Sequence, residues 1–153
     1  MNIETLLEQE QQLVLTSLTN QEAIAAGQYV IERALREELA VAVEIKRNGQ
    51  RLYYAALEGT APDQEEWIRR KSNVVTRHGH SSLYMRVYNE LKQRSYHTMY
   101  AVAPADYADA GGSFPIQVAG VGIIGTLTVS GLSQEDDHQL AVDALTFLKQ
   151  RMA

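Results

Sequence analysis

Seven of the fourteen basic residues, Arg69, Arg70, Lys71, Arg77, Arg86, Lys92 and Arg94, fall within 26 positions and are opposed there only by Glu90. In a chain of net charge −5 this is a local positive field, suited to carboxylate or phosphate groups. The competing reading is a solvated helix face whose bases pair with acids elsewhere. Downstream, Arg77-His78-Gly79-His80-Ser81-Ser82 sets two imidazoles two residues apart beside two hydroxyls. His78 and His80 could share a metal ion, but a closed site needs a third ligand, such as His97 or Asp106, from elsewhere. No metal site is assigned on an HxH pair alone. Ser81 and Ser82 offer hydroxyls and free N–H groups to an anion, or serve as plain helix caps. Gly111-Gly112 permits close approach of a ligand to the backbone, or simply a turn. Ser130-Gly131 leads into Ser133-Gln134-Glu135-Asp136-Asp137-His138. There, Asp137 and His138 could act as an acid–base pair. Asp136 reads as part of a helix cap.

Several chemistries drop out at once. The chain has no cysteine, so disulfides, thiolate metal sites and cysteine nucleophiles are excluded. The negative net charge argues against a general nucleic-acid binder. No run approaches the roughly 20 apolar residues that span a bilayer. The acidic opening stretch does not resemble an export signal, so a cytoplasmic protein is expected. A GxGxxG string at Gly120–Gly125 lies inside an expected strand rather than between strand and helix, and is rejected as a dinucleotide fingerprint. Its Gly122 and Gly125 are expected to make room for a neighbouring helix or subunit. Trp67, the only tryptophan, reads as core or interface.

These groups must be positioned by an alternating framework. Residues 2–18 show helical spacing of Ile3, Leu6, Leu7, Leu13, Val14 and Leu18. Thr19 and Glu22 have the spacing of a capping box and open a second helix, in which Gly27 implies a tight contact. Val41, Val43 and Ile45, then Asn48-Gly49, then Leu52, Tyr54 and Ala56 form a hairpin pattern. Asp63 is expected to cap a helix that runs to Gly79, and Ser81 or Ser82 the next. Thr98–Ala103 reads as a strand ended by Pro104. Phe114–Val118 and Val121–Val129 read as a second hairpin, its VGIIGTLTV run buried on both faces. Ser133 opens a final helix. The expected order is α-α-β-β-α-α-β-β-β-α, in one domain over residues 1–153 with 45% apolar and 22% charged residues.

GGSFPI followed by VGIIGTLTVSGLSQEDDH and a terminal helix resembles the haem-degrading-domain superfamily typified by HbpS and GlcG. The stretch WIRRKSNVVTRHGHSSLYM resembles its cytoplasmic branch found in bacteria and fungi. The likeness runs from about Glu4 to Leu148. It implies a profilin-like three-layer α/β/α (α+β) domain with a five-stranded antiparallel sheet, assembled as a homo-oligomer. It also implies that haem or another small anionic ligand is bound. Arg69, Arg70 and Lys71 are candidates for its acidic groups, and His78, His80 or His138 for an iron. Ser81, Ser82, Gly111, Gly112, Ser130 and Asp137 complete the candidate set. No full catalytic set is legible. The alternative is therefore a non-catalytic oligomeric scaffold or chaperone partner, and an enzyme using His138 with Asp137 ranks last.

Overall fold

Thr19 and Glu22 cap reciprocally, the Thr19 hydroxyl accepting from Glu22 N and the Glu22 carboxylate from Thr19 N. This fixes the start of α2 (Asn20–Glu37) in the computed structural model, which describes residues 1–152. Before it come α1 (Ile3–Gln12) and a two-residue strand, β1 (Val14–Leu15). Asn48 and Gly49 both adopt positive φ, 50° and 82°, and join β2 (Ala42–Arg47) to β3 (Gln50–Ala56) as their types require. Then follow α3 (Asp63–His78), α4 (Ser82–Leu91), α5 (Tyr96–Tyr100), β4 (Ser113–Val118), β5 (Gly122–Ser130) and α6 (Gln134–Arg151). Ser81, Ser95 and Ser133 each cap the helix that follows.

The strands form one sheet in the order β1-β4-β5-β2-β3. All neighbours are antiparallel except β1 and β4, which pair parallel. The sheet is two-sided in chemistry. Val43, Ile45, Phe114, Ile116, Leu127 and Val129 point into an apolar core closed by α2 and α6. The alternate residues Glu44, Lys46, Ser113, Thr126 and Thr128 form a polar floor under α3, as period-two alternation demands. Lys46 reaches Ser72 of α3 (3.3 Å), and the Ser113 and Thr128 hydroxyls bond each other (2.8 Å). The layered fold and its five strands match expectation, but the fifth strand is not the expected one.

Thr98–Ala103 is not a strand. Ser95 caps α5 there, and Tyr96 buries its ring beside Val74 and Met85 while its hydroxyl bonds His78 (2.8 Å). Tertiary packing overrides the β-branched and aromatic composition. The expected 2–18 helix stops at Gln12 because Leu13, Leu15 and Leu18 turn into the core while Val14 and Leu15 pair with Gln117 and Val118. Pro62, not Asp63, precedes α3, and no side chain caps it. VGIIGTLTV is buried only from Thr126 onward; Val121 and Ile123 are exposed. Gly125 admits the backbone of Lys46 on the adjacent strand, and no described residue of this chain approaches Gly122.

Candidate functional site

The polar side of the sheet ends in a cleft of about 260 Å³ beside α3, the β5–α6 corner and the loop before β4. Gln64, Trp67, Lys71, Ser130, Gly131 and Asp137 are among its walls. Lys71 sits on the inward face of α3 and is only 4% exposed. Its ammonium donates to Val129 O (3.2 Å) and to Asp137 Oδ2 (3.1 Å). An ammonium has three donors, so one N–H of Lys71 has no hydrogen-bond partner among the described residues.

Asp137 lies in the first turn of α6, a favourable place for a carboxylate. It also accepts from Leu132 N (2.9 Å) and Gly131 N (3.3 Å), which locks the corner onto the helix. Burial pushes the Lys71 amine below its ordinary range, and the Asp137 charge only partly restores it. Burial likewise pushes the Asp137 carboxyl up, against Lys71 and the two backbone donors. In each case burial, which disfavours the charged form, outweighs the attraction of the partner charge.

Gly112 explains itself here. Its φ of 138° suits glycine, and a Cβ would strike Val129 O and lie 2.8 Å from Lys71 Nζ. Ser130 donates to Gln64 Oε1 (2.7 Å), joining β5 to the first turn of α3. The Arg70 guanidinium stacks over Trp67, 4.2 Å from the ring centre. This places a cation next to the aromatic wall.

Lys71, Gly112, Ser130 and Asp137 thus converge, with Arg70 at the margin. The other sequence candidates do not. Arg69 is closed on the surface by Glu66 and Asp106 (both 3.1 Å). His78 bonds Tyr96, while His80 bonds Glu10 of α1 (2.8 Å), so the two imidazoles hold separate partners. Glu10 also accepts from Ser81 N. Ser81 caps α4, and the Ser82 hydroxyl accepts from Ser113 N (3.0 Å). Gly111 packs on the backbone of Gln134 and donates to its side chain. No group of three His, Asp or Glu side chains forms a metal site among the described residues.

His138 corrects the sequence reading most sharply. It is fully buried and bonds Gln9 Oε1 of α1 (2.7 Å) against the Phe114 ring. Its Nδ1 has no partner among the described residues. Asp137 instead bonds Lys71, so the last-ranked His138–Asp137 acid–base pair is not formed. Successive helical residues point about 100° apart, which separates the two side chains. Gln64 is a cleft residue to which no motif in the sequence points. Gln64 carries no signal beyond being polar in a first turn.

Residues 18–146 match the family described as haem-degrading protein, HbpS-like. The chain belongs to that family. This HbpS-like chain is 46% identical over 138 residues to a UPF0303 protein of Streptomyces coelicolor, covering 90% of this chain and 87% of that one. Among solved structures it resembles the Ybr137w protein, with TM-score 0.89, 32% identity, and 97% and 88% of the two chains covered. A PduOC–haem complex shares the fold at TM-score 0.72 and 18% identity, over 85% and 94% of the chains.

Haem in such a site needs an axial His, Met, Tyr or Cys. None of these types lines this cleft. The four histidines are engaged by Tyr96, Glu10, Tyr107 and Gln9. The residues of the cleft do not fit an iron-ligated haem.

Proposed function

We propose that this HbpS-like chain binds a small anionic metabolite in the Lys71–Asp137 cleft. The observation that carries the reading is Lys71, a buried ammonium in the cleft wall with one donor unpaired. Arg70, stacked over Trp67, adds a second cation at the margin of the cleft. The cleft volume lies just under the roughly 300 Å³ at which drug-sized pockets begin. That favours a compact ligand over a porphyrin. The exposed side chains of Val121 and Ile123 and the unpaired outer edge of β3 support assembly with further copies of the chain.

Trp67 makes the test direct, because the only tryptophan lines the cleft. Its emission is followed while pyruvate, acetate, inorganic phosphate and haemin are titrated separately. Saturable change with one of the small anions, weakened by Arg70→Ala, supports the reading. Saturable quenching by haemin alone, at a fixed ratio per chain and lost in His78→Ala or His80→Ala, would replace it with a haem site elsewhere.

A further inference from the structure

A lysine–aspartate pair closed away from water is weak evidence of stabilisation, since apolar residues of similar volume often serve a core as well or better. Here the pair stands in the wall of a cleft, not in the middle of the apolar core. The core lies on the opposite face of the sheet. Three features then bear on the amine. Gly112 leaves the space beside Nζ free of a side chain. Val129 O and Asp137 fix Nζ by two hydrogen bonds, so the amine is held rather than waving on a flexible stem. Asp137 is within proton-transfer reach of that same nitrogen, and its own position is set by Gly131 N and Leu132 N.

We propose that Lys71 is a nucleophile that captures the carbonyl group of a small 2-oxo acid as an imine, with Asp137 as its proton shuttle. The inference rests on the anion-binding reading of the cleft and names the ligand class: a carboxylate for Arg70 and a ketone or aldehyde carbon for Lys71. Burial lowers the Lys71 amine from its ordinary range, which eases loss of the proton that the attack requires.

The step balances without any oxidant or reductant. Asp137 takes one proton from the ammonium, and the Nζ lone pair attacks the carbonyl carbon, forming the N–C bond. Asp137 returns that proton to the new alkoxide. It then removes a second proton from nitrogen and delivers it as the hydroxyl departs. The carbonyl oxygen leaves as water with two of the former ammonium protons. Lys71 is left as a protonated imine beside a carboxylate.

The test uses the full chain with pyruvate and sodium cyanoborohydride, which reduces an imine to a stable secondary amine. Peptide mass spectrometry then locates the added carboxyethyl group. The chain has four lysines, Lys46, Lys71, Lys92 and Lys149. The expected result is modification concentrated on Lys71 in the folded protein and spread over all four after heat unfolding. Lys71→Arg keeps the charge but forms no imine, so the folded-state adduct is expected to vanish. Asp137→Asn is expected to slow adduct formation at Lys71. Because either variant could perturb folding, the distribution in the unsubstituted protein is the deciding readout. Saturable pyruvate binding by Trp67 emission without an adduct on Lys71 overturns this inference and leaves the anion site standing. Neither binding nor adduct overturns both. An adduct no richer at Lys71 than at the exposed lysines also overturns it.

Discussion

Lowering the pH from 7.5 toward 4 is expected to destabilise the protein through His138. This imidazole is enclosed by Gln9, Phe114 and the body of α6, and no acid is bonded to it among the described residues. Burial, with a smaller push from the positive amino terminus, lowers its pKa to about 4, against 6.5 for the free side chain. The sign follows from proton counting. The unfolded chain takes up a proton at His138 as pH falls through 6.5, whereas the folded chain resists until about 4. Acid therefore favours the unfolded state across that window. The contribution of neutral His138 is fully present above 6.5 and is lost as pH falls through the window. The loss is about 1 kcal/mol at pH 5.5 and about 3 kcal/mol at pH 4, at about 1.4 kcal/mol per pKa unit. The assay is urea unfolding at a series of pH values on the wild type and on His138→Leu, which removes the titrating group and frees Gln9 to turn outward. The difference between the two curves isolates this histidine from Asp137 and Asp109, whose carboxyls burial pushes up and which act in the opposite sense. Parallel stability–pH curves for the two proteins between pH 4 and 6.5 would refute the reasoning.

Other outcomes follow from the same geometry. Gly27→Ala places a Cβ into the ring of Tyr53. Overpacking of this kind is expected to cost about 1–3 kcal/mol in urea unfolding, outweighing the better helix propensity of alanine. Ser133→Ala removes the acceptor for Asp136 N and is expected to cost about 1 kcal/mol by the same measurement. Lys71→Ala leaves Asp137 buried without its cation, so it is expected to lose about 3–5 kcal/mol at pH 7 and less near pH 4, where the carboxyl can protonate. That variant is therefore no clean probe of binding, unlike Arg70→Ala. Trp67→Ala is expected to weaken pyruvate binding in calorimetry while leaving the circular dichroism spectrum unchanged, because Trp67 lines the cleft and is only half-buried.

Local grammar was the legible part of this fold. Thr19-x-x-Glu22, Asn48-Gly49 and Ser133-x-x-Asp136 each announce a backbone geometry within four residues, and each is realised. Val14–Leu15 could not be read, because two apolar residues satisfy a helical and an extended pattern equally. Thr98–Ala103 misled because its composition favours a strand, whereas Ser95 and the pocket that receives Tyr96 decide otherwise. The basic segment hid a similar ambiguity. Adjacent Arg69, Arg70 and Lys71 point in three directions on one helix, to a surface ion pair, an aromatic ring and a buried carboxylate. Nothing local says which. The pairing of Lys71 with Asp137 spans 66 positions, and only the sheet between α3 and α6 brings them together. The same holds for His138, whose burial depends on a helix at the other end of the chain.

That last dependence bears on the order in which the molecule assembles. The polar fasteners of α1 all reach far along the chain. Gln9 holds His138, Glu10 holds His80 and Ser81, and Gln12 O accepts from Lys149. During synthesis the first helix thus emerges long before its partners exist. It can meet α4 once that helix has emerged, but its bonds to His138 and Lys149 wait for the α6 segment. Closing such distant loops is slow compared with forming local hairpins. A helix made before its partners is thus among the latest to be fully fastened, and until then its apolar stripe stays uncovered.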